Sequence, residues 1–348
     1  MKKTVRFLSL ALVVILVFSV LSACGASDKK LYISVIAKGF QHQFWQVVKQ
    51  GSEAAGKDLG VDVYFTGPEG ESAVATQVNM LNQEIAKKPA AICLAALDTN
   101  SVLSQLQTAQ DSKIPVIGFD SGVPNAPAGQ IAATAATNNE GAAAIGAEKM
   151  YAALKDKIAA GKTTVVVFSQ DATSASITGR SKGFVDKFKA LVEADGKKAA
   201  VTGGMSTLNT GDASSADCTI DVVIGATPDI KDMTSAANSL LQKPNLVGLF
   251  CSNEGSVNGY LAALTAGAKA PTGLVIVGFD AGKNQKASVK SGQFLGSITQ
   301  DPYQIGYKAV DLAVKAAKGE SVADVDTGAK WYDKSNMDQA DIAKLLYD

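Results

Sequence analysis

Histidine is almost missing from this 348-residue chain, where His42 is the only one. Structural zinc sites draw on clustered Cys and His, and the four cysteines, Cys24, Cys93, Cys218 and Cys251, show no such spacing. A zinc centre is therefore unsupported. The stretch Gly179-Arg180-Ser181-Lys182-Gly183 has the spacing of a nucleophile elbow. That turn needs a strand leading into it and a histidine base after it; here polar residues precede it and His42 lies far upstream, so no hydrolase is expected. No phosphate-loop motif occurs, and no Gly-x-Gly-x-x-Gly follows the first apolar run, which removes support for nucleotide cofactors. No cofactor of any kind is expected. Basic excess is also lacking: 33 Lys and Arg face 33 Asp and Glu, leaving no footprint for nucleic acid. Apart from Cys24 the cysteines are odd in number, which disfavours a disulfide framework. Cys93 and Cys251 lie in apolar runs and read as core thiols, with a Cys218–Cys251 bridge as the alternative that an oxidising compartment allows.

What the sequence does contain begins with an export signal. Lys2, Lys3 and Arg6 precede an apolar stretch from Phe7 to Leu21, the layout of a secretory signal peptide. At 17 residues, 7–23 falls short of the roughly 20 that span a bilayer as a helix. Leu21-Ser22-Ala23-Cys24 resembles a bacterial lipobox, which makes Cys24 the expected lipidation site and the mature N-terminus. Residues 1–23 are read as signal peptide and 24–30 as a polar tether, placing the protein on the outer face of the cytoplasmic membrane. Loss of three basic residues leaves the mature chain slightly acidic.

Beyond the tether, about 320 residues are natural for two domains rather than one. Short apolar runs at 31–37, 61–65, 91–95 and 115–119 alternate with helical patterns at 44–59, 72–87 and 101–112. This is a βα series with a parallel sheet. A second series follows, with strand-like runs at 164–168, 221–224, 246–251 and 274–279 and helical patterns at 180–193, 233–242 and 255–266. Residues 202–218, rich in Gly, Ser and Thr, read as an irregular surface excursion, and 337–347 as a short closing helix. Gly118-Phe119-Asp120-Ser121-Gly122 and Gly278-Phe279-Asp280-Ala281-Gly282 each end an apolar run. Ligands of open parallel sheets bind at the carboxyl ends of strands, so two facing sheets would set Asp120 and Asp280 across one cleft.

Several motifs then occur in a specific order. They are His42-Gln43-Phe44-Trp45, Gly118-Phe119-Asp120, Thr178 to Phe184 around Arg180, Ser252-Asn253-Glu254, Val277 to Asp280, and Ile298-Thr299-Gln300 followed by Asp301 to Gly306. Together they resemble the type I periplasmic binding proteins of ABC importers, in the ribose-binding-protein-like sugar branch, over essentially the whole mature chain. The resemblance implies an α/β fold of two Rossmann-like lobes with parallel sheets joined by a three-segment hinge. Lobe 1 is expected at 31–137 plus 301–324, and lobe 2 at 138–300 plus 325–348. The crossings are expected near 136–138, 300–301 and 324–327. It further implies a non-enzymatic, monomeric protein that captures a monosaccharide or polyol and delivers it to an ABC permease. The alternatives are a lipoprotein receptor that senses its ligand, or a binder of a nucleoside or furanosyl signalling molecule.

The ligand site implied by the resemblance comprises His42, Phe44, Trp45, Asp120, Ser121, Arg180, Asn253, Phe279, Asp280 and Gln300. The residue types suit sugars. Carboxylates accept paired hydrogen bonds from hydroxyls, Arg offers a planar fork, and Asn and Gln both donate and accept. Aromatic faces pack on the C–H face of a sugar ring while excluding water. Plainer roles compete: core packing for Phe44 and Trp45, helix capping for the Asp and Asn residues, and solvated surface for Arg180 and His42. Ser121 stands where ribose-binding relatives commonly carry Arg, and the second-lobe aromatic is replaced near Thr227-Pro228. That departure points away from ribose, toward a hexose, sugar alcohol or related polyol.

Overall fold

The computed structural model describes residues 30–347; the expected signal peptide, Cys24 and most of the tether lie outside them. Alternation of apolar runs and amphipathic segments produces two parallel sheets. The first series gives β1 (Tyr32–Ile36), α1 (Gln43–Leu59), β2 (Asp62–Thr66), α2 (Val74–Ala86), β3 (Ala91–Leu94), α3 (Leu103–Asp111), β4 (Val116–Phe119) and β5 (Ala133–Ala136). The second gives α4 (Asn139–Ala160), β6 (Thr163–Ser169), α5 (Ala175–Ala194), β7 (Ala199–Gly203), β8 (Cys218–Ile224), α6 (Ile230–Leu240), β9 (Leu246–Cys251) and α7 (Glu254–Thr265). It continues through β10 (Val275–Phe279), α8 (Lys283–Ser291) and β11 (Gly296–Gln300). The chain then returns through α9 (Pro302–Ala317) and β12 (Val325–Asp326), and ends in β13 (Ala329–Tyr332) and α10 (Ala340–Ala343).

One sheet has the order β12-β5-β4-β3-β1-β2, all parallel; the other has β13-β11-β10-β9-β6-β8-β7, parallel except for β13 against β11. The orders correspond strand for strand around β1 and β6, with β7 as an added edge, so β4 and β10 occupy the same place in each lobe. The protein thus has the α/β, two-lobed type I periplasmic-binding-protein architecture with three crossings. These run from β5 to α4, from β11 to α9, and from β12 to β13. Asp326 ties two of them, its Oδ1 accepting from Asn138 N at 3.0 Å and Gly328 N at 2.8 Å. Val325 and Asp326 pair with Ala135 and Ala136 in the first sheet. The second-lobe segment expected from residue 325 therefore starts after them.

Strands whose residues are buried on both faces, such as Ala91–Leu94 and Val116–Phe119, account for the continuous apolar runs. The second lobe's core is built around Phe184, which stacks on Phe250 at 4.3 Å and on Phe188 at 5.5 Å. The excursion expected at 202–218 begins on the last two residues of β7 and ends on the first of β8. Between them lie a short turn at Ser206–Leu208 and a single bridge from Val201 to Thr210. Cys93, Cys218 and Cys251 are buried and free. Cys218 aligns with Thr163 at the start of β6 and Cys251 with Phe168 near its end. Five residues along a strand span about 16 Å, too far for the bridge considered from the sequence. No helix among the described residues is long and apolar enough to cross a membrane.

Candidate functional site

Each sheet delivers an aspartate in the same unusual way. After Gly118-Phe119 and Gly278-Phe279, the backbone turns to positive φ at Asp120 (54°) and Asp280 (80°). Left-handed backbone is uncommon away from glycine, with Asp among the residues that tolerate it best. The amides stay in the ladder, Asp120 N donating to Ala135 O at 3.1 Å and Asp280 N to Ile298 O at 2.7 Å. Each carboxylate is thereby bent off its strand end into one shared gap. Glycine before them is required: a Cβ at Gly118 would press on Thr134 and Gly122, and one at Gly278 on Gln285 and Ser297.

Arg180, in the second turn of α5, spans the two acids. Its Nη2 lies 3.9 Å from Asp120 Oδ1 and its Nη1 lies 3.6 Å from Asp280 Oδ2. Nε donates to Asn139 Oδ1 at 2.8 Å, and the guanidinium sits 3.9 Å above the Phe279 ring. An aromatic face below and fixed acceptors around it hold the planar fork in one orientation. Only 2 % of Arg180 is exposed, which settles its competing role as a surface residue. The elbow-like motif around it lies inside this helix, with Ser181 hydrogen-bonded to Ser169. No strand-to-helix turn exists there.

Other predicted residues surround the same gap. Gln300, the last residue of β11, donates to Asp280 Oδ1 at 2.7 Å. Asn253 both caps α7, accepting from Ser256 N at 3.1 Å, and donates to Gln170 Oε1 at 2.6 Å. His42 precedes α1 without capping it; Phe44 and Trp45 follow with rings edge-on at 5.0 Å. All three face the gap, which in this arrangement is filled almost entirely by its own side chains, leaving about 20 Å³. Ser121 and Phe279 do not line it. Ser121 instead hydrogen-bonds Asp120 at 3.1 Å and Ser176 at 3.0 Å, and Phe279 lies beneath Arg180.

Lys38, Glu71, Ile177 and Glu254 also line the gap, although sequence reasoning did not select them. Lys38 Nζ is 3.2 Å from Asp120 Oδ2 and donates to Ser176 Oγ across the lobes. Trp45 Nε1 donates to Glu71 Oε1 at 2.7 Å, and Gln170 donates to the other oxygen. Lys38 and Gln170 stand just past the ends of β1 and β6, so the strand-end rule that found the aspartates also points to them. Glu254 belongs to the quoted Ser252-Asn253-Glu254 motif.

Four buried atoms at the gap have no hydrogen-bond partner: both ring nitrogens of His42, Glu254 Oε2 and Gln300 Oε1. Leaving such groups unpaired costs about 1–3 kcal/mol each. Electrostatics differ from group to group. Burial works against the charge on Lys38, but Asp120 and Glu71 outweigh it and raise its pKa. Burial likewise opposes the Glu71 carboxylate, yet Lys38, His42 and the Trp45 and Gln170 hydrogen bonds hold its pKa below the ordinary value. Burial depresses His42, and burial reinforced by Asp280 pushes Glu254 up to about 8. Among the described residues, no group of three or more His, Cys, Asp or Glu is arranged to hold a metal ion.

Comparison with known proteins agrees with the fold. Residues 33–321 match the family model described as a periplasmic binding protein domain. The D-allose-binding periplasmic protein of Escherichia coli is 24% identical over 301 residues, covering 84% of this chain and 86% of that protein. Among solved structures, a Brachyspira murdochii chain described as "ABC transporter, LacI family transcriptional regulator" is 42% identical with a TM-score of 0.77. The match covers 92% of this chain and all of the other. An ABC transporter solute binding protein from Agrobacterium vitis, with bound D-fucose, is 29% identical with a TM-score of 0.75, covering 91% of this chain and all of that one.

Proposed function

The chain belongs to the periplasmic binding protein family, whose members bind solutes without catalysing a reaction, and from that premise we propose that it captures a monosaccharide or polyol and delivers it to an ABC import permease. The observation that carries this reading is the convergence of polar groups from both sheets on one gap, four of their buried atoms lacking partners. A ring bearing several hydroxyls supplies donors and acceptors in several directions at once, which a flat or apolar ligand does not. The relatives support the class: one is D-allose-binding and another holds D-fucose. Within the gap, Asp120, Asp280, Arg180, Asn253, Gln300 and His42 hydrogen-bond the solute, while Phe44 and Trp45 cover an apolar face. Ser121 and Phe279 act behind them, on Asp120 and Arg180. Outside the cell, Cys24 carries the lipid anchor; replacing it with Ala moves the protein from the membrane fraction to the medium or periplasm, and unchanged partition contradicts the anchor.

A thermal-shift panel of pentoses, hexoses, polyols, nucleosides and amino acids tests the ligand class. A true ligand at 100 times its dissociation constant stabilises the folded state by about 2.7 kcal/mol. Stabilisation by a sugar or polyol is expected. Stabilisation by nucleosides or amino acids alone contradicts the sugar reading.

A further inference from the structure

Charge at the gap does not balance. Four carboxyl groups line it, Glu71, Asp120, Glu254 and Asp280, against the cations Lys38 and Arg180. Both cations are already engaged: Lys38 sits 3.2 Å from Asp120, and Arg180 spans Asp120 and Asp280 at 3.9 and 3.6 Å. His42 adds no compensating charge, because burial keeps it neutral. Asp171, beside Gln170, is a further acid near Lys38. Glu71 is provided for by Lys38 and by hydrogen bonds from Trp45 and Gln170. Glu254 has no cation.

The surroundings of Glu254 make that lack specific. The residue is 6 % exposed and Oε2 has no partner. The backbone amides of Gln43 and Phe44, at the start of α1 in the other lobe, lie toward its carboxyl and favour its ionised form. Asp280 and Glu71 act on it as neighbouring acids, and it acts in turn on the phenols of Tyr332 and Tyr347. Burial and Asp280 together raise its pKa to about 8 in this closed arrangement, so closure without a cation leaves a proton there at neutral pH. The other unpartnered side-chain atoms of the gap are Gln300 Oε1, an acceptor, and the two ring nitrogens of His42, one of which accepts in the neutral ring. Once Glu254 is ionised, acceptors outnumber donors three to one among the unpartnered atoms. A hydroxyl offers one donor, whereas an ammonium offers three together with the missing positive charge, and a buried carboxylate is tolerated when a cation pairs with it.

We infer that the captured solute carries a cationic nitrogen seated against Glu254 and Asp280, and so is an amino-substituted sugar or polyol. The inference rests on the gap being the solute site. The ammonium enters already charged, Glu254 gives its proton to solvent, and close to one proton is released per ligand bound at neutral pH.

Titration calorimetry of the full chain in detergent tests this, using two buffers of different ionisation enthalpy to count protons. The probes are D-glucosamine, D-galactosamine, D-mannosamine and D-glucamine, each against the parent compound carrying hydroxyl in place of the amine. One amino compound is expected to bind at least about tenfold tighter than its parent, or about 1.4 kcal/mol, with release of about one proton. Glu254→Gln abolishes both the preference and the release. Parents that bind as tightly as their amino partners, binding without proton release, or a preference that survives in E254Q overturns the cationic assignment while leaving the sugar site standing. Failure of every probe and every parent overturns both.

Discussion

Asp120 and Asp280 were legible because a repeated Gly-Phe-Asp closes two apolar runs, and chemistry at strand ends follows from sheet geometry alone. The same rule covers Lys38 and Gln170, just past the ends of β1 and β6, but not Glu71, whose partners come from segments far away in sequence. Glu71 meets Gln170 across 99 positions, a pairing that no local pattern encodes. Phe279 was read as a wall of the site from its place beside Asp280, but alternation along β10 turns its ring under Arg180 instead. At the same scale, Glu254 sets a pH dependence of stability. Its folded-state value of about 8 lies above the ordinary 4.5. Between those values the folded chain keeps a proton that the unfolded chain releases, so stability falls as pH rises from about 4.5 to 8. Glu254→Gln removes this slope. Its thermal midpoint should exceed that of the native chain by more at pH 8.5 than at pH 5; parallel profiles would contradict the assignment.

Among the elements, most strands of the two series were readable from their apolar runs, and many helices from their periodicity. Of those that were not, α4 and β5 were hidden for a physical reason. The first half of α4 buries Ala142, Ala143, Gly146 and Ala147, residues too small to stand out against the exposed face, before Met150, Tyr151, Leu154 and Ile158 follow, and β5 is Ala133–Ala136 with one Thr. Small residues there permit close packing. Gly183 on α5 lies against the backbone of Glu140 on α4, while Gly51 on α1 and Gly306 on α9 lie against Tyr303 and Val48 of each other's helix. The α4–α5 pair positions the site, since Arg180 on one helix is held by Asn139 on the other. Gly183→Ala forces the helices apart and should destabilise the protein by about 1–3 kcal/mol, seen as a lower thermal midpoint with weaker solute binding. An unchanged midpoint would show that the contact yields without cost.

For the whole molecule, the two-lobed order was readable from the alternation of elements. The edge strand β7 escaped because Ala199–Gly203 runs directly into the Gly- and Ser-rich excursion. In the structure the lobes are closed on each other. Lys38 reaches Ser176, Ser72 donates to Asp229 at 2.8 Å, Thr173 donates to Leu97 O at 3.1 Å, and Lys283 N donates to Gln43 Oε1 at 2.9 Å. A solute gripped by both sheets has its full set of partners only in this arrangement, so its binding shifts the population toward closure by differential affinity. Shared grip is the central claim, and titration calorimetry with the tightest ligand of the panel measures it most directly. One molecule should bind per chain, and Asp120→Ala in one lobe and Asp280→Ala in the other should each weaken it at least about tenfold, about 1.4 kcal/mol, in chains that still unfold cooperatively. Native affinity in either folded variant would mean that a single lobe holds the solute, contrary to this account.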